Sequence, residues 1–354
     1  MRGNRLLKSL DFFIGVPLVY FLSVIPKKRK QIKSSRVGIL MTAAIGDTLL
    51  AASVLKEARE LRPDMRFVLI CPPSLSGVAD LIGAFDEKVY ISVKNPLRSI
   101  RTIRKHEFDM WFDCGQWPRL NAILSFFSKS NKKLGFKTKG QGRHYVYDYP
   151  IRHLSSVHEI ENYRNLFSRL RKDLVKTPEI IVGERKDRDF IIFHICPSGE
   201  KSYLKEWPKD HWVKLGHYFI NKGYSIYLSG SAEDKIKNDS VLKQLPKGKV
   251  RNLAGETSLG EVCNYLSSAR LVISVNTGIM HLASAVNANL VALNGPTNSK
   301  RWGPLNQSAV SLQAPLRCSP CLNLGFEYGC NKNSCMQSIS VESVIKEVEL
   351  NFKL

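Results

Sequence analysis

The sequence predicts an α/β protein built from two Rossmann-like, doubly wound domains. Three observations carry this expectation. From Ser35 onward, short apolar runs alternate with segments of helical period. A polar, charged stretch over 172–189, holding Pro178 and Gly183, interrupts the alternation, which restarts at Phe190. The chain's 354 residues also exceed what one hydrophobic core usually serves. Strands separated by helices imply parallel pairing and helices on both sheet faces. The expected division is a basic and apolar N-terminal segment over 1–34, a first domain over 35–177 and a second over 178–354.

In the first domain, 37–41 reads as a buried strand, 42–47 as a small-residue turn, and 48–61 as a helix with apolar residues at helical spacing. Strand-like runs follow at 67–71, 89–93 and 110–114, with a basic helix at 97–105 between the last two. The Lys- and Gly-rich stretch 128–143 is expected to form an exposed loop. In the second domain, strands are expected at 190–196, 224–229, 271–275 and 290–293. Helices are expected at 207–222, 258–267 and 278–286, and a last one at 341–350. Two such halves place a ligand cleft between them, at the C-terminal ends of the strands. The second half has no G-x-G-x-x-G fingerprint, which argues against a dinucleotide cofactor.

The net charge of +22 suits a polyanionic partner such as an anionic lipid or a phosphorylated glycolipid; a generally basic surface is the plainer reading. No zinc-finger spacing or aromatic RNP-like strand is present, so nucleic acid is not expected as a partner. The apolar run 10–25 contains Asp11 and Pro17 and lies between basic flanks, with Lys27, Lys28, Arg29, Lys30 and Lys33 following it. It is shorter than the roughly 20 residues that cross a bilayer. The favoured reading is a segment lying in the interface of an anionic membrane, on the inner face of the cytoplasmic membrane. A signal anchor and a helix packed on the first domain are the alternatives. Cys71, Cys114, Cys196 and Cys263 read as small buried residues of a reducing compartment.

Three clusters carry candidate chemistry. In the turn 42–47, Gly46 admits close backbone approach, and Asp47 sits at a helix start. A carboxylate there is either an ordinary helix cap or a base for an incoming hydroxyl. The loop 196–208 brings Ser198, Gly199, Lys201 and Lys205 before a Trp-Pro, a set that suits a phosphate or is simply a solvated basic loop. In 274–285, Asn276, Thr277 and Gly278 end a strand and open a small-residue helix, whose first amides would face a diphosphate. His281, one turn in, reads as a ligand contact or a satisfied core histidine, and Gly295 and Thr297 form a further turn. Cys318, Cys321, Cys330 and Cys335 crowd one tail segment with C-x₂-C and C-x₄-C spacing. Structural zinc, disulfides and free thiols are all compatible with that spacing.

The order of these motifs resembles the ADP-heptose:lipopolysaccharide heptosyltransferase family, glycosyltransferase family 9. Gly46-Asp47, Lys205-Glu-Trp-Pro208, 253–259 (LAGETSL), Asn276-Thr-Gly-Ile-Met-His-Leu-Ala-Ser-Ala285 and Gly295-Pro-Thr297 match family motifs in sequence, over a likeness running from about residue 35 to the end. The resemblance implies the GT-B fold, with two Rossmann-like domains facing a central cleft. It implies an inverting transfer from ADP-heptose or a similar nucleotide sugar to a lipopolysaccharide-type acceptor, with no catalytic metal. By the same resemblance Asp47 is the base, Lys205 and the amides near Thr277 and Gly278 hold the diphosphate, and Glu233 or Asp234 contacts the nucleoside. Lys132, Lys133, Lys137 and Arg143 are candidate contacts for a phosphorylated acceptor or simply part of a solvated basic face, and the last helix is expected to cross back onto the first domain. One departure stands out: the family usually has Asp where this chain has Asn276, which bears on the donor sugar and on activity. A nucleotide-sugar epimerase and a non-catalytic nucleotide-sugar binder are the competing functions.

Overall fold

The computed structural model describes residues 5–25, 32, 34–42, 44–183, 188–324 and 327–354. They form two compact units, the first ending at Thr177 and the second beginning at Pro178.

The first unit opens with helices α1 (Arg5–Phe13) and α2 (Gly15–Val24). Strand β1 (Arg36–Leu40) then leads into α3 (Ile45–Glu60), β2 (Arg66–Cys71), α4 (Ser76–Ile82) and β3 (Glu87–Tyr90). After these come α5 (Pro96–Ile103), β4 (Glu107–Asp113), α6 (Arg119–Phe127), β5 (Lys129–Lys137), β6 (Tyr149–Arg152) and α7 (Glu159–Phe167). The sheet order is β3-β2-β1-β4-β5-β6, with every pair parallel. This is the doubly wound order, in which the winding reverses between β1 and β4. The two central strands fit closely because Gly38 has no side chain: a Cβ there would lie 2.7 Å from the Trp111 ring of β4. The indole is oriented in turn by donating to Ser125 Oγ at 2.9 Å.

The stretch 128–143 departs from expectation. Most of it is not an exposed loop but strand β5, whose Leu134, Gly135 and Phe136 are buried between β4 and β6. Lysine stems can lie along apolar surface while their heads find oxygens. Lys133 does so, its Nζ donating to the Phe126 carbonyl at 2.6 Å.

The N-terminal helices take up the packed arrangement that was one of the expected alternatives. One face packs on the first unit, with Val19 and Leu22 against Ala122, Val146 and Tyr147. Asp11 is buried and accepts from the backbone N–H groups of Arg119 (3.1 Å) and Leu120 (3.0 Å), capping α6. The Arg119 guanidinium closes on the same carboxylate at 3.3 Å. The other face leaves Phe12, Phe13, Ile14, Tyr20, Phe21 and Val24 in solvent, with Phe13 73% exposed. No helix among the described residues is long and apolar enough to cross a membrane. Lys27, Lys28, Arg29, Lys30 and Lys33 lie outside the described residues.

The second unit repeats the topology. Its elements begin β7 (Arg188–His194), α8 (Lys209–Asn221), β8 (Ser225–Leu228), α9 (Lys235–Leu242), β9 (Val250–Asn252), α10 (Leu259–Ser268) and β10 (Ala269–Val275). They continue with α11 (Gly278–Ala285), β11 (Leu290–Asn294), α12 (Ser299–Trp302), β12 (Ala309–Gln313), α13 (Ser334–Gln337) and α14 (Val341–Asn351). The order β12-β11-β10-β7-β8-β9 puts the reversal between β7 and β10. The last helix, α14, belongs to this second unit. Its Val341, Val344 and Val348 enter the core formed with Trp207, Trp212, Phe193 and Phe219. An apolar stripe on a terminal helix says that it is covered, but not by which neighbour.

His194, at the end of β7, is buried with Nδ1 3.0 Å from Ser229 Oγ. Burial pushes its pKa down to about 4, against the opposing pull of Asp234. In the unfolded chain an imidazole titrates near 6.5, so His194 weakens the fold only as pH falls from about 6.5 toward 4. The full loss is roughly 3 kcal/mol. Urea unfolding of His194→Asn at pH 7, 5.5 and 4 should show the variant's deficit shrinking as pH drops, and a deficit constant with pH would contradict this assignment.

Candidate active site

Because every strand pair in the first unit is parallel, the loops after β1 and β4 leave from the same sheet edge and diverge at the reversal. Asp47, the third residue of α3, is buried at this point, its Oδ2 3.4 Å from the Ala44 N–H. Its Oδ1 accepts from Gln116 Nε2 in the loop after β4, at 3.0 Å. The same Nε2 donates to Glu159 Oε1 at 3.0 Å, and that oxygen lies 2.7 Å from His153 Nε2. Gln116, His153 and Glu159 carried no motif and were not identified from sequence. Tyr163 borders the group; burial first, then the charges of Asp47 and Glu159, hold its phenol well above the usual tyrosine range.

Asp113 is the neighbouring carboxylate, fully buried at the end of β4. It accepts from Gly115 N (2.8 Å), Asn121 Nδ2 (3.2 Å), Ser125 Oγ (3.3 Å), Tyr147 Oη (2.5 Å) and the Arg143 guanidinium. Arg143 is therefore no surface acceptor contact: it has no exposed area and is engaged with Asp113 and Tyr147. Lys133 is buried as well, whereas Lys132 and Lys137 are exposed. Lys137 ends β5, on the sheet edge that also carries Asp47.

In the second unit the predicted donor residues occupy the loops after β7, β8, β10 and β11. Lys205 ends a short 3₁₀ turn anchored by buried Leu204, and its Nζ donates to the Ser198 carbonyl at 2.7 Å. Ser198 itself is exposed. Thr277 caps α11, its Oγ1 accepting from Ile279 N at 3.2 Å, and Gly278 opens the helix. A helix start of this kind presents N–H groups and partial positive charge. The loops after β7 and β10 flank this unit's own reversal. His281 is buried one turn along. Of the two acidic candidates after β8, Asp234 caps the turn by accepting from Ser231 N (2.7 Å) and Oγ (2.8 Å). Glu233 is exposed.

The cysteine-rich tail braces the turn at 295–297. Ser319 Oγ donates to the Gly295 carbonyl at 2.6 Å, and the N–H groups of Cys321 and Leu322 donate to that of Pro296 at 3.0 and 2.8 Å. A Cβ on Gly295 would lie 2.5 Å from Met336 Sδ. The Thr297 hydroxyl is buried and finds no hydrogen-bond partner among the described residues. Cys318 and Cys330 are exposed, Cys321 is half-buried and Cys335 is buried, all as free thiols. Burial pushes the Cys335 thiol up, with smaller contributions from Cys321 and Cys330. Among the described residues no group of three or more His, Cys, Asp or Glu side chains is placed to hold a metal.

Comparison with known proteins points to one family and fold. A sequence profile of glycosyltransferase family 9 (heptosyltransferase) matches residues 97–331. Lipooligosaccharide heptosyltransferase 2 of Haemophilus influenzae is 35% identical over 137 residues, a stretch covering 38% of this chain and 38% of that protein. The Campylobacter jejuni serotype O:6 protein of the same name is 24% identical over 328 residues, covering 89% of this chain and 98% of its own. The solved structure of Escherichia coli ADP-heptose LPS heptosyltransferase II superposes with a TM-score of 0.72 at 19% identity, covering 89% of this chain and 98% of that one.

Asn276 uses its amide within the protein. Its Nδ2 donates to Asn294 Oδ1 at 3.0 Å and to the Trp302 carbonyl at 3.1 Å. Asn294 in turn donates through its own Nδ2 to the Ala292 carbonyl at 3.1 Å, which turns its oxygen toward residue 276. An aspartate at 276 would set a carboxylate against two acceptors. Asn276→Asp should therefore cost about 1–3 kcal/mol in urea unfolding and should not raise sugar transfer; a variant as stable as the parent and more active would refute this.

Proposed function

The chain belongs to glycosyltransferase family 9, the heptosyltransferase family, and from that membership we propose that it transfers a heptose, or a related sugar, from an ADP-type nucleotide sugar to a phosphorylated, lipopolysaccharide-type glycolipid. The observation that carries this reading is the buried Asp47 carboxylate at the β1–β4 reversal, on a loop matching the family's Gly-Asp motif. Asp47 takes the proton of the acceptor hydroxyl as its oxygen attacks the anomeric carbon. The bond from that carbon to the diphosphate oxygen breaks, and its electron pair leaves with the nucleoside diphosphate. One displacement from the opposite face inverts the configuration. Lys205 and the first-turn amides of α11 stabilise the negative charge that gathers on the departing diphosphate, so this reading uses no metal in the chemical step. The tail's cysteine spacing supports, at most, a zinc with a structural role, which metal analysis of the purified protein checks.

Asp47→Asn keeps the size and polarity of the side chain but removes the base. It should lower turnover roughly 10²–10⁴-fold while ADP-heptose affinity, read by calorimetry, stays within about twofold of the parent. Full turnover in this variant would remove Asp47 from the mechanism.

The same reading places the protein at the inner face of the cytoplasmic membrane, where a lipid-linked acceptor would be met. Support comes from the exposed aromatic face of α1 and α2 and from the lysine-rich sequence that follows it. Phe13→Ser combined with Phe21→Ser should reduce co-flotation with vesicles containing anionic lipid at least severalfold without changing the melting temperature, since neither side chain is in the core. Equal flotation of parent and variant would detach the hairpin from membrane binding.

A further inference from the structure

We propose that Gln116, held by the buried Glu159–His153 pair, is a positioning residue that fixes the Asp47 carboxylate for proton abstraction. This rests on the reading of Asp47 as the base and adds to it the groups that hold the base in place.

The geometry is specific. A primary amide has two N–H bonds, and Gln116 directs its nitrogen at two carboxylates, Asp47 Oδ1 and Glu159 Oε1, each at 3.0 Å. Turning the amide over would lose both bonds and set its carbonyl oxygen against both carboxylates. Glu159 has no exposed area and cannot easily swing aside. It begins α7, where the helix end favours an anion. Its Oε1 lies 2.7 Å from His153 Nε2, and its Oε2 lies 3.4 Å from Asn162 Nδ2. Asn162 is fixed by exchanging bonds with Leu154, accepting from its N–H at 2.8 Å and donating to its carbonyl at 2.9 Å. The brace therefore runs from the strap at 153–154 through α7 to the loop after β4, and ends on Asp47.

The groups around Asp47 also predict the sign of a pH effect. From α7 come Glu159 and Tyr163, from the strap His153, and from the end of β4 Cys114 and Asp113. Burial keeps Tyr163 and Cys114 protonated, and Asp113 is paired with Arg143. On α4, the other helix against α3, Asp80 is exposed and paired with Lys88. Glu159 is thus a like charge joined to the base through Gln116, the donor set between the two. Removing a donor from a carboxylate raises its affinity for a proton, whereas removing a neighbouring negative charge lowers it.

The test is the pH dependence of kcat for two variants of the full chain, with ADP-heptose affinity and melting temperature measured alongside. Gln116→Leu should lower kcat at neutral pH about 10- to 100-fold, leave donor affinity within about twofold, and move the acid limb upward by about one pH unit. Glu159→Gln keeps the side chain's size and should move the acid limb the opposite way, and it decides the matter if Gln116→Leu is poorly folded. A purely structural role would lower the rate in equal proportion at every pH. Acid limbs that coincide with the parent's in the variants that fold would overturn the proposal while leaving Asp47 as base. Full turnover in Asp47→Asn would overturn both.

Discussion

The buried ion pair between Asp113 and Arg143 organises the first unit. Asp113 and Arg143 have no exposed side-chain area, and breaking such a pair from one side leaves an uncompensated charge, at a cost of about 3–5 kcal/mol. Asp113 ends the central strand β4, while Arg143 arrives from the far side of β5, so their contact fixes where the chain goes after both strands. Asn121 and Ser125 bind the same carboxylate and thereby seat α6. Asn121 also accepts from Thr42 Oγ1 at 2.8 Å, which ties in the turn leading to Asp47. The start of α6 is closed by Asp11, so the N-terminal hairpin is fastened to the same framework. The proposed base, the sheet and the apolar hairpin are linked through a largely buried set of groups.

The two units share one winding order but use their reversal points differently. In the first, the crevice between β1 and β4 is furnished with carboxylates and an amide, suited to handling a proton. In the second, the loops beside β7 and β10 offer a lysine and a helix start, suited to an anion. The difference lies in a few loop residues, because the sheets need only their apolar strands to form. The same topology thereby carries loops of opposite electrostatic character.

Much of this was legible in the sequence because it depends on local pattern. The strand–helix alternation follows from periodicity, and the turns at Asp47, Thr277 and Gly295 announce themselves through small residues at strand ends. Strand β5 was missed because lysine and other polar residues dominate its composition, although Leu134 and Phe136 face the interior. Arg143 looked like a surface cation because nothing nearby in sequence reveals that Asp113, thirty residues earlier, awaits it. Gln116, His153 and Glu159 escaped for the same reason: they meet through strand order, and none belongs to a motif.

The Asn276–Asn294 pair has a consequence for how such a site can change over generations. Each amide is oriented by the other and by a fixed carbonyl, so the effect of altering one position depends on which residue occupies the other. A carboxylate at 276 becomes tolerable only after 294 presents a donor and Trp302's carbonyl has found another partner. The two positions form an epistatic unit, and the order of substitution decides which intermediates fold.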